Sequence, residues 1–208
     1  MKYFSFKKII FALVLTLYFV FLLLPNQLVC GKTITINVSK PPMTLDPHYA
    51  NDTYSWFFIR HLGEGLLRSD NHKLIPGCAK KWEVMPDGLS VFFHLNSDAK
   101  WQNGEPIKSD DFVKTWRRAL DLEDASLIPE FNIVKGFEAI DHSTLKVEFK
   151  YPIGDLLDVF ASPGLYPLPE EERNKTRASV QSGPYSVEDS SMKFWDLIKN
   201  NEFWNANN

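Results

Sequence analysis

The sequence predicts a mixed α/β chain, and three stretches carry that prediction. Residues 82–84 and 91–95 are β-prone runs joined by Pro86-Asp87-Gly88, where proline presets φ and glycine supplies a position that favours positive φ. After a second turn at Asn103-Gly104, Ser109 is placed to cap a helix opening with Asp110 and Asp111, acids favoured at the positive end of a helix dipole. Leu145, Val147 and Phe149 alternate with Lys146, Glu148 and Lys150, the period-2 pattern of a half-buried strand.

The remaining elements follow in order. Residues 32–39 alternate, with Ile34, Ile36 and Val38 on one face, and read as a first strand that Pro41 and Pro42 end. Asp46-Pro47 makes a turn. Residues 51–53 can cap a helix whose Tyr54, Phe57, Phe58 and Leu62 fall on one face. The helix over 110–120 turns Phe112, Val113, Trp116 and Leu120 to one side. Residues 121–129 form a polar connection, and 130–139 are weakly helical. A short helix over 154–160 leads into proline-rich 163–169, and Pro169 with Glu170, Glu171, Glu172 and Arg173 resembles a helix start. Residues 174–182 read as a loop, and 185–187 with 193–198 as a closing β-pair.

The first thirty residues predict export. Lys2, Lys7 and Lys8 precede a 16-residue apolar run over 9–24 closed by Pro25, signal-peptide length and short for a membrane span. Two processings fit: lipidation at Cys30, although Val29 is not the small residue expected before it, or cleavage near Gly31. An uncleaved anchor is the third possibility. Loss of residues 1–30 removes three lysines and no acid, taking the net charge from −3 to −6. An acidic mature chain without a basic run excludes nucleic acid as a partner. Cys30 and Cys78 have no metal-ligand spacing. Cys78, beside Gly77 and Ala79, reads as a packed small residue, with a Cys30–Cys78 disulfide as the alternative.

Across residues 79–112, Ala79, Trp82, Asp87, Gly88, Phe93, Leu95, Trp101, Gly104, Pro106, Asp111 and Phe112 stand in an order that resembles the signature of the bacterial extracellular solute-binding proteins of family 5, the oligopeptide, dipeptide and nickel group. Trp116 and Arg117 fit its oligopeptide branch. TLDPHYANDTYS over 44–55, LGEGLLRSD over 62–70, STLKVEFKYP over 143–152, ASPGLYPLP over 161–169, SGPYSVED over 182–189 and NNEFWNA over 200–206 resemble further family segments. The resemblance implies a periplasmic-binding-protein-like lobe with a small inserted lobe. Residues 31–64 and 156–208 would belong to the first large lobe and 65–155 to the insert. Family members run well beyond this length, so the second large lobe is expected to be absent and the architecture incomplete.

The same resemblance implies a periplasmic or cell-envelope peptide carrier of an ABC importer. It would partner an oligopeptide and the permease subunits, and touch the membrane only through a lipid anchor or uncleaved signal. The family's backbone contacts to peptide map to Asn51, Asp52 and Thr53, with Asp52 or a neighbour able to meet a ligand ammonium. The oligopeptide branch tends to carry an acid where Asn51 stands, and helix capping is the competing role for all three. Peptide binding is expected to be weak or lost, or to depend on a separately encoded C-terminal half. A docking protein that keeps the small lobe, and a functionless remnant, are the alternatives.

No enzyme is expected, and no cofactor or metal. His48, His61, His72, His94 and His142 are scattered without a His-x-His or His-Glu-x-x-His spacing, and no serine sits in Gly-x-Ser-x-Gly. Asp110 and Asp111 are adjacent and point apart on a helix, so capping charge explains them. Trp82, Trp101, Trp116, Trp195 and Trp204 could stack on sugars, but their placement favours burial.

Overall fold

A computed structural model describes residues 35–204 apart from 72, 123–128, 155, 174–178, 180 and 191–193. The signal segment, Cys30 and His72 lie outside the described residues, as do most of the 121–129 connection and of the 174–182 loop. The chain divides into two units, Met1–Asn37 and Val38–Asn208, and all the elements below belong to the second.

A four-stranded antiparallel sheet in the order β3-β4-β6-β5 forms the centre of the fold, built from Ala79–Val84, Ser90–Leu95, Thr144–Phe149 and Val134–Asp141 respectively. The two inner strands bury every second residue: Val91, Phe93 and Leu95 on β4, and Leu145, Val147 and Phe149 on β6. That alternation is the one legible in the sequence. The outer strands are more exposed and carry register shifts between Val134 and Gly136 and between Ala79 and Lys81, irregularities common at sheet edges. Gly88 adopts φ 70° in the β3–β4 turn, as its tight geometry requires.

Helix α2, Ser109–Leu120, lays Phe112, Val113, Trp116 and Ala119 against this sheet. Lys108, not Ser109, is its N-cap, and the Lys108 backbone N–H donates to Asp111 Oδ2 at 2.9 Å. Ser109 is instead buried, its hydroxyl donating to the Asp141 carbonyl. Asp110 pairs with Lys114 at 3.0 Å. Ala119 takes the buried position expected of Leu120, which is exposed.

Two hairpins complete the strands: β1, Leu67–Asp70, with β2, Lys73–Pro76, and β7, Tyr185–Ser190, with β8, Trp195–Lys199. Helix α1, Thr53–Leu62, buries Ser55, Phe58, Ile59 and Leu62. This face is rotated from the expected one, leaving Phe57 half-buried at the side. Phe58, Ile59 and Leu62 cluster with Ala50, Tyr166 and Leu168, and Trp195 and Leu197 of β8 pack on them. The larger cluster gathers the sheet, α2, Phe160 and Leu165. Glu170–Arg173 forms a single helical turn, α3.

Three expectations fail. Residues 35–39 form no strand, because alternation supplies a face but a strand needs a hydrogen-bonded neighbour, and no described strand pairs with them. Residues 130–139 are not helical: a 3-10 turn, Pro129–Asn132, runs into β5, whose pairing with β6 overrides weak local propensity. The short helix near 154–160 is a 3-10 segment at Leu156–Ala161. Of the tryptophans, Trp101 and Trp116 are buried, and Trp82, Trp195 and Trp204 are half-buried against the two clusters.

A clasp joins α1 to the segment before β7. The Gly183 N–H donates to the Leu62 carbonyl at 2.8 Å, and the Glu64 N–H to Ser182 Oγ at 2.9 Å. A Cβ on Gly183 would stand 2.5 Å from Gly63 N and Leu62 C, so only glycine permits this approach.

Candidate functional site

The segment before α1 is fixed from both sides. Ser55 Oγ accepts from the Met43 and Thr44 N–H groups at 3.1 and 3.2 Å and itself donates to Asp52 Oδ2. Asp52 is the N-cap, its Oδ1 accepting from Tyr54 N at 3.0 Å and Ser55 N at 3.1 Å. Burial pushes the Asp52 carboxyl up, but the bonds from Ser55 and Tyr54 outweigh it and hold the group below its ordinary range. These three bonds leave the carboxylate about one lone-pair position open.

Asp46 supplies the second anchor. Its carbonyl accepts from Tyr49 and Ala50 N–H, and its Oδ1 from His48 N–H. The guanidinium of Arg118 on α2 grips both carboxylate oxygens, at 3.2 and 2.6 Å, and its Nε donates to the Arg173 carbonyl at 2.7 Å. Arg173 in turn reaches Asp111 at 2.8 Å. A chain of charge-assisted bonds therefore ties the 46–50 segment to α2 and α3.

Against these anchors opens a groove of about 710 Å³, within the size range of small-ligand sites. Thr53, Trp56, Phe57 and Arg60 line it from one face of α1, at the i, i+3, i+4 and i+7 positions that share a side. Pro129 and Glu130, with Ser162, Pro163 and Gly164, line it from elsewhere in the fold. Ala50 and Asn51 complete the lining. Asn51 and Thr53 are exposed, and no hydrogen bond joins Asn51 to another described residue. Ser162 donates its hydroxyl to Glu130.

Two of the three residues singled out from sequence, Asn51 and Thr53, thus line the groove. Asp52 is absent from its lining and serves as the cap. Trp56, Phe57, Arg60 and Glu130 were missed. The helical period could have found the first three, had the buried face been placed on Ser55 and Ile59. Glu130 carries no such signal, because its position depends on the fold of distant segments. Among the described residues no group of His, Cys, Asp and Glu could hold a metal ion, and no helix is long and apolar enough to cross a membrane.

The profile described as bacterial extracellular solute-binding proteins, family 5 (middle) matches residues 73–208. The chain belongs to this family. An oligopeptide-binding protein, OppA of Bacillus subtilis, is 31% identical over 206 residues, covering 84% of this chain and 37% of that protein. The periplasmic oligopeptide-binding protein of Haemophilus influenzae is 42% identical over 97 residues, covering 46% and 18%. Among solved structures, the substrate-binding domain of an oligopeptide ABC transporter from Bacillus anthracis superposes with a TM-score of 0.75 at 29% identity, covering 81% of this chain and 38% of that one. The fold is therefore that of a periplasmic-binding-protein lobe in part, and the chain spans about two fifths or less of the relatives it matches.

Two buried groups are shifted in opposite senses. Burial pushes His48 down from 6.5 to about 4, with Asp46 opposing and Arg118 assisting. Burial pushes Glu64 up from 4.5 to about 7. Arg68 opposes that shift from 2.9 Å, but its Nε is not aligned to donate, and burial prevails. A depressed base loses stability as pH falls from 6.5 to 4, because the unfolded chain takes the proton first. A raised acid loses stability as pH rises from 4.5 to 7, because the folded chain holds its proton longer. Each effect approaches about 3 kcal/mol, so in the overlap they cancel. Glu64→Gln is expected to expose the His48 slope, a urea midpoint that drops from pH 6.5 to 4, and His48→Asn the opposite slope. Parallel pH profiles for both variants and the parent would contradict this.

Proposed function

We infer that this chain forms the peptide-contacting wall of a substrate-binding component of an ABC peptide importer, and that it performs no covalent chemistry. The groove beside Asn51 and Thr53, in a family-5 chain whose relatives are named oligopeptide-binding proteins, carries the reading. An extended peptide would meet the open backbone and side chain of Asn51 and the Thr53 hydroxyl, as strand-like recognition requires. Asp52 sets their geometry as the cap. Residues 65–155 would act as the inserted lobe, and 31–64 with 156–208 as parts of the large one. Export by residues 1–30, with Cys30 lipidated or removed, would place the chain in the cell envelope beside its permease.

The wall alone offers few contacts, so binding of peptide by the 208-residue chain is expected in the millimolar range. Saturation-transfer NMR with doubly capped tri-alanine tests this: a signal that Thr53→Trp removes by filling the groove supports the reading. No transfer to any peptide would sink it, and micromolar affinity in a calorimetric titration would contradict the expected weakness.

A second reading is that the chain is half of a split carrier, favoured by Tyr185, Val187 and Ile198, large apolar residues exposed on the β7–β8 hairpin. Tighter peptide binding when a chain resembling the remainder of the relatives is supplied would support it over a stand-alone docking protein.

A further inference from the structure

Outside the groove beside Asn51, we propose that a second hollow, between the last turn of α2 and the start of β5, binds a small aromatic carboxylate. Its volume is about 280 Å³, just below the range of drug-sized ligand sites. It therefore has room for one ring with a short tail and not for a stretch of peptide. Arg117 and Leu120 line it from one side of α2, and Phe131, Val134, Lys135 and Phe137 from the 3-10 turn and β5. None of these residues lines the groove beside Asn51, so the two hollows can be filled or blocked separately.

The apolar part of the lining is aromatic and held in place by the core. Phe131 is buried, and its ring lies 6.2 Å from that of Phe137, tilted by 39°. Trp116 stands edge-on to both, at 6.1 and 5.2 Å, so neither ring can turn away without disturbing the packed indole. The pair offers a floor on which a third ring can rest, offset or edge-on, as aromatic groups prefer. Leu120 is 46% exposed and adds apolar surface that a ligand would cover.

Charge selects the ligand. The described lining contains two cations and no acid. Trp116 serves the core, but the side chain of its neighbour Arg117 is exposed and makes no ion pair or hydrogen bond with any described residue. Asp121 stands four positions on, a spacing at which helical side chains can pair, and does not pair with it. Arg118, the next residue, is by contrast engaged with Asp46 and the Arg173 carbonyl. Lys135 meets Glu148 only at 4.0 Å, with the two side chains 68% and 40% exposed, a loose pair that leaves its charge available. An anion is therefore the occupant whose charge finds a counterpart. A planar guanidinium with no other partner matches a carboxylate through its two-pronged geometry.

The test compares an acid with its amide. The full chain is titrated with 3-phenylpropionate and with 3-phenylpropanamide by ligand-observed NMR. The acid is expected to bind the parent about 3- to 10-fold more tightly, the range of a solvent-exposed charge-assisted contact. Arg117→Gln should reduce that ratio to less than about twofold while keeping the parental affinity for the amide, which shows that the variant folds and its aromatic floor is intact. Arg117→Lys should retain part of the preference, since the charge stays and the fork is lost. Propionate, which has the charge and no ring, should not bind measurably. Thr53→Trp, which fills the other groove, should leave all these values unchanged. Equal affinity of acid and amide for the parent, or no binding of either, would overturn the proposal, and propionate binding as tightly as the aromatic acid would overturn the ligand class. A preference that survives Arg117→Gln would overturn the assignment to Arg117. A preference lost in Thr53→Trp would move the acid to the groove beside Asn51 and overturn the second site.

Discussion

Trp116→Ala is expected to lower the free energy of unfolding by about 3–5 kcal/mol. The indole is 1% exposed and lies edge-on to Phe112, Phe131 and Phe137 at centroid distances of 5.9, 6.1 and 5.2 Å, with Phe160 tilted at 6.2 Å. Removing it opens a cavity that four rigid rings fill poorly, and cavity cost adds to transfer cost. Its Nε1 also donates to the Leu165 carbonyl at 3.0 Å, and a buried carbonyl left alone costs about 1–3 kcal/mol more. Domains of this kind are stable by about 5–15 kcal/mol in total, so the variant should sit near the edge of folding. Trp116→Phe keeps much of the ring and loses the bond, so it should fall between. Urea midpoints followed by circular dichroism give the order, and an alanine variant within about 1 kcal/mol of the parent would refute this account of the core.

Asp46→Ala should cost a comparable amount, about 3–5 kcal/mol, for a different reason. The carboxylate is fully buried, and its Arg118 partner is 14% exposed. Deleting the acid strands a cation that remains bonded to the Arg173 carbonyl and stacked 5.9 Å from the Tyr49 ring. His48 also loses the acceptor of its N–H, beside a ring whose Nε2 has no partner among the described residues. The double variant Asp46→Ala with Arg118→Met removes both charges and should cost clearly less than the two single changes added together. Additive costs would mean that the pair does not act as a unit. A single-variant cost below about 1 kcal/mol would class it with surface pairs.

The groove depends on the same pin, since Ala50 and Asn51 follow directly from the segment that Arg118 holds. The wall of the groove is thus held from behind by a helix whose other face belongs to the central sheet.

The contrast between legible and illegible features has a physical pattern. Strands β4 and β6 were readable because each buries one face only, so period 2 survives in the sequence. Helix α2 was readable for the same reason at period 3.6, although its last buried residue is Ala119 and not Leu120. Strand β5 was not: Gly136 and Ala139 break its alternation at register shifts, and its neighbour β6 imposes the strand. The face of α1 was misjudged because two apolar faces compete there, one packed on Tyr166 and Leu168, the other turned to the groove. Asn51 and Thr53 came from a local motif, whereas Glu130 and Ser162 are brought to the groove by contacts between distant segments. The partners of Asp46 were hidden likewise, with 72 positions separating it from Arg118.

The clasp at Ser182 and Gly183 sets the order in which this architecture assembles. Helices and hairpins draw on neighbouring residues, but the bond from Glu64 to Ser182 spans 118 positions. Closing so long a loop consumes chain entropy before any contact repays it. The sheet and α2 can be in place while α1 still lacks its β7–β8 cover. The groove, built on α1, is then expected to mature after the central sheet.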